Sequence, residues 1–245
     1  PKGLAIDPNT NRLYVGNDVD NSIAVFDGNT HALLGAIAGV AKPNGVAVDP
    51  ALNRVYVSNR DSATLTVIDA QTNGIIGSIP VGSLPYGVAV DPHTHRVYVA
   101  NWGTSGSSIS IINGTTWQVV KTIPVDNYAA QVAVNLATHT AYVTGHASSK
   151  LYVIDGRYIL ITAQVIAPGI VGVAVDPVNN LIYVASRDHS RVYVVDGNTN
   201  AVIRSIVMPA TPYAVAINPY SNLLYVTAAD AKTLYAIDLT TDLVA

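Results

Sequence analysis

An all-β fold of six four-stranded units is what this sequence predicts, and three observations carry it. A phrase centred on Tyr-Val returns six times, as Tyr14-Val15, Tyr56-Val57, Tyr98-Val99, Tyr142-Val143, Tyr183-Val184 and Tyr225-Val226, at spacings of 42, 42, 44, 41 and 42 residues. Each copy holds short apolar runs of strand length, separated by turns rich in Asp, Asn, Gly and Pro. No stretch of about ten residues or more has the 3.6-residue period of a helix. A fixed period of this size means one structural unit copied and stacked, because units of about 40 residues cannot bury a core alone. Four strands per copy, repeated six times, describe a six-bladed β-propeller of antiparallel strands. A closed ring also leaves only short outer edges, where a linear stack would leave two open ends.

The copies divide residues 1–245, a single domain, into blades at 1–42, 43–84, 85–127, 128–169, 170–211 and 212–245. The first strand is Leu4-Ala5-Ile6 and its equivalents, such as Val46-Ala47-Val48 and Val215-Ala216-Ile217. It is apolar throughout, which suits a short strand buried on both faces. The following turn is Asp-Pro-x-x-Asn/His, as in Asp49-Pro50-Ala51-Leu52-Asn53, where Asp caps and Pro presets φ. The second strand carries Tyr-Val. The third ends at Asp27, Asp69, Asn113, Asp155, Asp196 and Asp238, one per blade, and these side chains are expected to bond turn N–H groups. The fourth, such as Ile75-Ile76-Gly77-Ser78-Ile79, is more mixed, as an outer strand should be. In the last blade only Asp242-Leu243-Val244-Ala245 remains for it, so that blade reads as incomplete and its closure as imperfect.

Composition narrows the function. Apolar residues make up 49% and charged residues 12%, which excludes disorder. No apolar run approaches the length of a membrane span. The net charge of −3 lacks the basic footprint that nucleic acid requires. Of the 16 acidic residues every one is Asp, so mechanisms that need Glu are absent, and with no Cys so are thiolate chemistry and disulfides. The chain begins at Pro1, inside the repeat, with no signal peptide. The expectation is that a leader was removed or that this is part of a longer, multidomain or assembled surface protein.

Pro85-Tyr86-Gly87-Val88-Ala89-Val90-Asp91-Pro92 and Arg96-Val97-Tyr98-Val99-Ala100-Asn101 carry a resemblance. The chain resembles the YVTN-repeat β-propellers along its whole length. Their repeat reads roughly P-x-G-V-A-V-D-P, then R-V-Y-V-A-N, then a V-I-D and an I-P-V-G strand. The resemblance implies an extracellular or cell-envelope location, as in surface-layer proteins. The wider group also includes lactonase-like, streptogramin-lyase-like and quinoprotein-like enzymes. The resemblance implies Glu in the lyase-like and lactonase-like sites, which this chain lacks, and no family catalytic residue is carried over. The chain departs from the repeat in blade four, where Gln131 replaces Gly and Asn135-Leu136 replaces Asp-Pro.

Candidate site residues come from two loops of each blade that share one face. The loop before the first strand is read as giving Lys2, Asn44, Tyr86, Tyr128, Val171 and Tyr213. The loop between second and third strands gives Arg60-Asp61, Trp102, His146, Arg187-Asp188-His189 and Asp230. Trp102 lies in the loop of blade three that is enlarged by two residues, 101–108. The reading is a non-catalytic module for ligand binding, adhesion or assembly. It takes a protein or carbohydrate on Tyr86, Trp102, Tyr128 and Tyr213, with Arg60, His146, Arg187 and His189 as polar contacts. An enzyme of the lactonase, lyase or quinoprotein-like kind is the alternative. Arg60-Asp61 and Arg187-Asp188-His189 read either as acid–base groups or as surface charges. His93-x-His95 and His139 have metal-ligand spacing, but they replace Asn or Thr of the first turn and are expected to be turn residues. No cofactor is expected. Asn113-Gly114-Thr115 is a glycosylation sequon in an exposed turn.

Overall fold

The computed structural model describes residues 1–103, 106–126 and 128–244. They form six four-stranded antiparallel sheets in sequence order, the blades of an all-β, six-bladed β-propeller. The blades fall into two units, residues 1–129 and 130–245. The first unit holds β1 to β4 (Leu4–Asp7, Arg12–Asn17, Ser22–Asp27, Leu33–Ala38). It continues with β5 to β8 (Pro43–Asp49, Arg54–Asn59, Thr64–Asp69, Ile75–Pro80) and β9 to β12 (Pro85–Asp91, Arg96–Asn101, Ser108–Asn113, Gln118–Pro124). The second holds β13 to β16 (Ala129–Asn135, Thr140–Gly145, Lys150–Asp155, Leu160–Val165) and β17 to β20 (Ile170–Asp176, Leu181–Ser186, Arg191–Asp196, Val202–Val207). It ends with β21 to β24 (Pro212–Asn218, Leu223–Ala228, Thr233–Asp238, Leu243–Val244). The last strand is two residues long and pairs only Ile237 with Val244 and Asp238 with Leu243.

Side chains alternate across a strand, so neighbours point to opposite faces of a blade. This explains the Tyr-Val pair. Tyr14 faces forward onto the next blade, joining Ile23, Val25 and Ile37 to Val46, Val55, Val57 and Ile68. Tyr56 does the same toward Val88, Val97 and Ile112. In the second unit Tyr142 packs with Val173, Ile182 and Val195, and Tyr183 with Leu224, Val226 and Ile237. The Val of each pair serves the rear face. Five of the six tyrosines are buried, while Tyr225 is half-buried. The hydroxyl of Tyr14 donates to Ala70 O at 3.1 Å, and that of Tyr56 to Gly114 O at 3.2 Å, so each large ring also satisfies its polar end on the next blade.

The turns work as the sequence implies. Asp69 Oδ1 accepts the N–H groups of Gln71 and Thr72 at 3.0 and 2.9 Å, and Asn113 Oδ1 does the same for Thr115 and Thr116. Equivalent bonds hold at Asp27, Asp155 and Asp196. These N–H donors pull the Asp27 and Asp69 carboxyls below their ordinary range. The first-strand residues Asp7, Asp49 and Asp176 are buried and cap the following turn in the same manner.

Glycine is required where first strands of adjacent blades touch. A Cβ on Gly45 would lie 2.4 Å from Tyr86 O, one on Gly3 2.3 Å from Asn44 O, and one on Gly172 2.5 Å from Tyr213 O. In blades two and four the hydroxyl that directly follows Tyr-Val fastens the same joint. Ser58 Oγ accepts the Gly45 N–H at 2.8 Å and donates to Tyr86 O at 2.6 Å. Thr144 Oγ1 accepts from Gln131 at 3.1 Å and donates to Val171 O at 2.7 Å. One expectation is corrected here: β1 and β21 are not buried on both faces, since Leu4, Ile6, Ala214 and Ala216 are exposed.

Candidate functional site

In blades two, three and five the loop before the first strand and the loop between second and third strands lie side by side, tied by backbone bonds. The N–H groups of Arg60, Trp102 and Arg187 donate to the carbonyls of Lys42, Leu84 and Gly169 at 3.2, 2.9 and 3.0 Å. Each acceptor residue is in the left-handed region, with φ of 49°, 51° and 65°. Thus one backbone frame recurs while the side chain it presents changes from Arg to Trp to Arg. A rigid frame with variable side chains is the arrangement in which binding groups concentrate. Tyr128, with φ 66°, occupies the position of Lys42 and Leu84, two residues earlier in the repeat than Asn44 and Tyr86.

The structure brings three of the expected aromatics together in the first unit. Trp102 stacks on Tyr128, with centroids 4.9 Å apart and planes at 28°, and on Tyr86, at 5.4 Å and 36°. All three rings are half-buried. The indole therefore contacts both tyrosines, and the cluster is preformed. Ser107 holds it in place: its Oγ accepts the Tyr128 N–H at 2.7 Å and is within donating distance of Trp102 O and Gly103 O, at 2.7 and 2.8 Å. That bond supports a bulky residue in a backbone region it seldom adopts. Residues 104 and 105 of the enlarged loop lie outside the described residues.

Behind the stack, buried Asn101 donates from Nδ2 to Ser108 Oγ and Ser110 Oγ, at 3.1 and 2.9 Å. Its Oδ1 has no hydrogen-bond partner among the described residues. In blade two the equivalent Asn59 Oδ1 accepts the Ala41 N–H at 3.3 Å. Sequence reasoning named Asn101 only as one residue of the loop after the second strand, and passed over Ser107 and the Ser58 and Thr144 hydroxyls. The only signal was the pairing of a hydroxyl with each tight inner strand.

In the second unit Arg187 lies 5.8 Å over the Tyr213 ring, a cation–π contact. His146 is half-buried, and burial first, then the charge of Arg187, hold its imidazole pKa below the ordinary value, with Asp188 opposing. His189 bonds Tyr193 Oη through Nδ1 at 2.7 Å. Asp188 lies back against Gly169, where any Cβ would meet its carboxylate at 2.4 Å. The members of the Arg187-Asp188-His189 run thus point to three different partners. In the first unit Arg60 is exposed, while Asp61 pairs with Lys42 at 3.1 Å and not with its neighbour. Both runs have the geometry of surface charges.

Among the histidines of the first turns, His95 reaches the neighbouring blade and His93 bonds within its own turn. His95 Nδ1 is 2.8 Å from the buried Asp49 Oδ2, and His95 and His139 occupy the left-handed turn position that Asn53 and Asn180 fill in other blades. The His93 N–H donates to Asp91 Oδ1 at 3.0 Å. No helix among the described residues is long and apolar enough to cross a membrane.

No protein-family model matches this chain, and no curated protein matches it either.

Proposed function

We propose that the chain is a non-catalytic binding module of the YVTN-repeat kind, acting outside the cell or in the cell envelope, and that its ligand is a carbohydrate held on Tyr86, Trp102 and Tyr128. One observation supports this reading above the rest: three aromatic rings from the loops of one unit are stacked in advance of any ligand. Tyr and Trp bring large contact area at low entropic cost, and prior stacking lowers that cost further. The ligand meets the surface that the indole and the two tyrosines leave half-exposed. Sugar rings offer C–H faces for such a surface, and their hydroxyls suit polar neighbours such as Arg60.

In the second unit, Arg187 on Tyr213, with His146 whose imidazole pKa burial holds below its ordinary value, offers a separate contact of mixed polar and aromatic character. The absence of Glu and Cys supports binding over catalysis. The location rests on the Tyr-Val repeat resemblance, and fractionation of the source cells tests it. A glycan array probed with the wild-type chain and with Trp102→Ala tests the ligand class. The expected result is a restricted set of glycans retained by the wild type and bound about 30-fold more weakly by the variant, the loss of one aromatic anchor of about 2 kcal/mol. An array on which neither protein binds, or on which both bind alike, overturns the carbohydrate reading. A protein partner serving adhesion or assembly would then be the occupant to seek.

A further inference from the structure

Arg60 and Arg187 stand at the same place in their blades, four residues past the Tyr of Tyr-Val. Each donates its N–H to the carbonyl of a left-handed residue, Lys42 at 3.2 Å and Gly169 at 3.0 Å. Tyr86 and Tyr213 also match, each following the proline that opens the first strand of the next blade. In the second unit this pair is in contact, with the Arg187 guanidinium 5.8 Å from the centre of the Tyr213 ring. The repeat therefore sets Arg60 within reach of Tyr86. Ser58 fixes that neighbourhood, because two residues before Arg60 its hydroxyl donates to Tyr86 O at 2.6 Å.

What differs in the first unit is the other neighbour of the tyrosine. Tyr86 packs on Trp102 with centroids 5.4 Å apart, and Trp102 on Tyr128 at 4.9 Å. Arg60 thus adds a cation beside a surface of aromatic rings.

Most cations of this unit are already engaged. Lys2 lies 3.7 Å from Asp18, Lys42 3.1 Å from Asp61 and Arg54 3.3 Å from Asp69, while Arg12 donates to Ala70 O and Gln71 O. Arg60 is exposed, and its guanidinium has no hydrogen bond or ion pair among the described residues. The carboxylate next to it in sequence, Asp61, is the one that Lys42 takes. Asp126, exposed two residues before Tyr128, repels an anion from that tyrosine and directs it toward Arg60.

We propose that the sugar taken by the Tyr86, Trp102 and Tyr128 cluster is a uronic acid, its carboxylate held by Arg60, an assignment that rests on the carbohydrate reading of the cluster. An arginine lying over a tyrosine uses the flat face of its guanidinium and leaves the in-plane N–H groups free. Those donors form a fork that matches the two oxygens of a carboxylate. The aromatic rings meet the C–H face of the same sugar, so one residue of the glycan satisfies both halves of the site.

Calorimetry of the full chain at low ionic strength tests this. The probes are oligomers of glucuronate, galacturonate and mannuronate, the same oligomers with their carboxyl groups reduced to neutral alcohols, and the neutral oligomers carrying sulfate. The expected result is a uronate bound at least about tenfold more tightly than its neutral counterpart, the usual worth of hydrogen bonds to a charged group. Added salt narrows that preference. Arg60→Gln abolishes it, whereas Trp102→Ala weakens acidic and neutral forms together, and circular dichroism checks that both variants fold. Equal affinity for the two forms, or a preference that survives Arg60→Gln, overturns the acidic assignment and leaves the carbohydrate reading standing. A sulfated oligomer bound as tightly as the best uronate overturns the carboxylate. No binding to any probe overturns the proposal, and an empty glycan array beside it removes the carbohydrate reading as well.

Discussion

Gly45→Ala isolates the constraint that sets how closely neighbouring blades approach. The new methyl would sit 2.4 Å from Tyr86 O, 2.8 Å from Val88 N and 3.1 Å from Gly87 C, all backbone atoms that have no rotamer to relieve the contact. The first strands of blades two and three must therefore move apart by about 1 Å to restore ordinary contact, and overpacking of this kind costs about 1–3 kcal/mol. The same movement stretches the Ser58 Oγ to Tyr86 O bond from 2.6 Å, adding about 1 kcal/mol. The sum, about 2–4 kcal/mol, lowers the melting temperature of a chain this size by about 4–16 °C. Urea unfolding followed by circular dichroism measures it. Ala214→Gly is the control at the equivalent, exposed place in blade six, where only the strand cost of glycine, about 0.5–1 kcal/mol, is expected. An unchanged midpoint for Gly45→Ala would show that the inner strands are not held at the separation described.

Three further outcomes follow from the same contacts. Tyr142→Ala removes a buried ring from the joint of blades four and five and should cost about 3–5 kcal/mol; an unchanged urea midpoint would contradict that burial. Burial pushes the Tyr142 and Tyr183 hydroxyls up to about 12, so their contribution is complete below the ordinary tyrosine range and is lost as pH rises from about 10 through about 12. Urea midpoints across that window should fall, and flat midpoints would refute the assignment. Asp69→Asn should be nearly neutral, because Asn113 makes the same two turn bonds in blade three, while Asp69→Ala should cost about 1 kcal/mol, the usual loss of a capping side chain. Equal losses in both variants would point to the Arg54 ion pair at 3.3 Å as the source.

The fold was legible because each blade repeats the same chemical demands. A second strand buried on both faces needs a large group forward and a small one behind, and Tyr-Val states that need six times. The turn carboxylates were legible for a similar reason, since Asp69 and Asn113 have one local task in one local sequence. The exposure of Leu4, Ile6 and Leu234 was not legible. Periodicity gives the face a residue points to, but the surface that covers it belongs to another sheet. At the candidate site, Trp102, Tyr86, Tyr213 and Arg187 were found from their loops. Their pairing was not, because Tyr128 reaches Trp102 from a left-handed backbone position two residues earlier in the repeat than Tyr86. Ser107, which pins that position, looked like one of several loop serines.

The central claim is that ligand meets the stack around Trp102. The chain has two tryptophans, and the other, Trp117, packs over Gly77, so Trp117→Phe leaves Trp102 as the sole indole reporter. The measurement is Trp102 fluorescence in that variant, titrated with the glycan that the wild type retains on the array. The account predicts a saturable spectral change at the affinity of the wild type, and its weakening by at least about tenfold when Tyr86 is also changed to Ala. Binding by calorimetry with no change in Trp102 emission, and with full affinity in the Tyr86→Ala background, would contradict it.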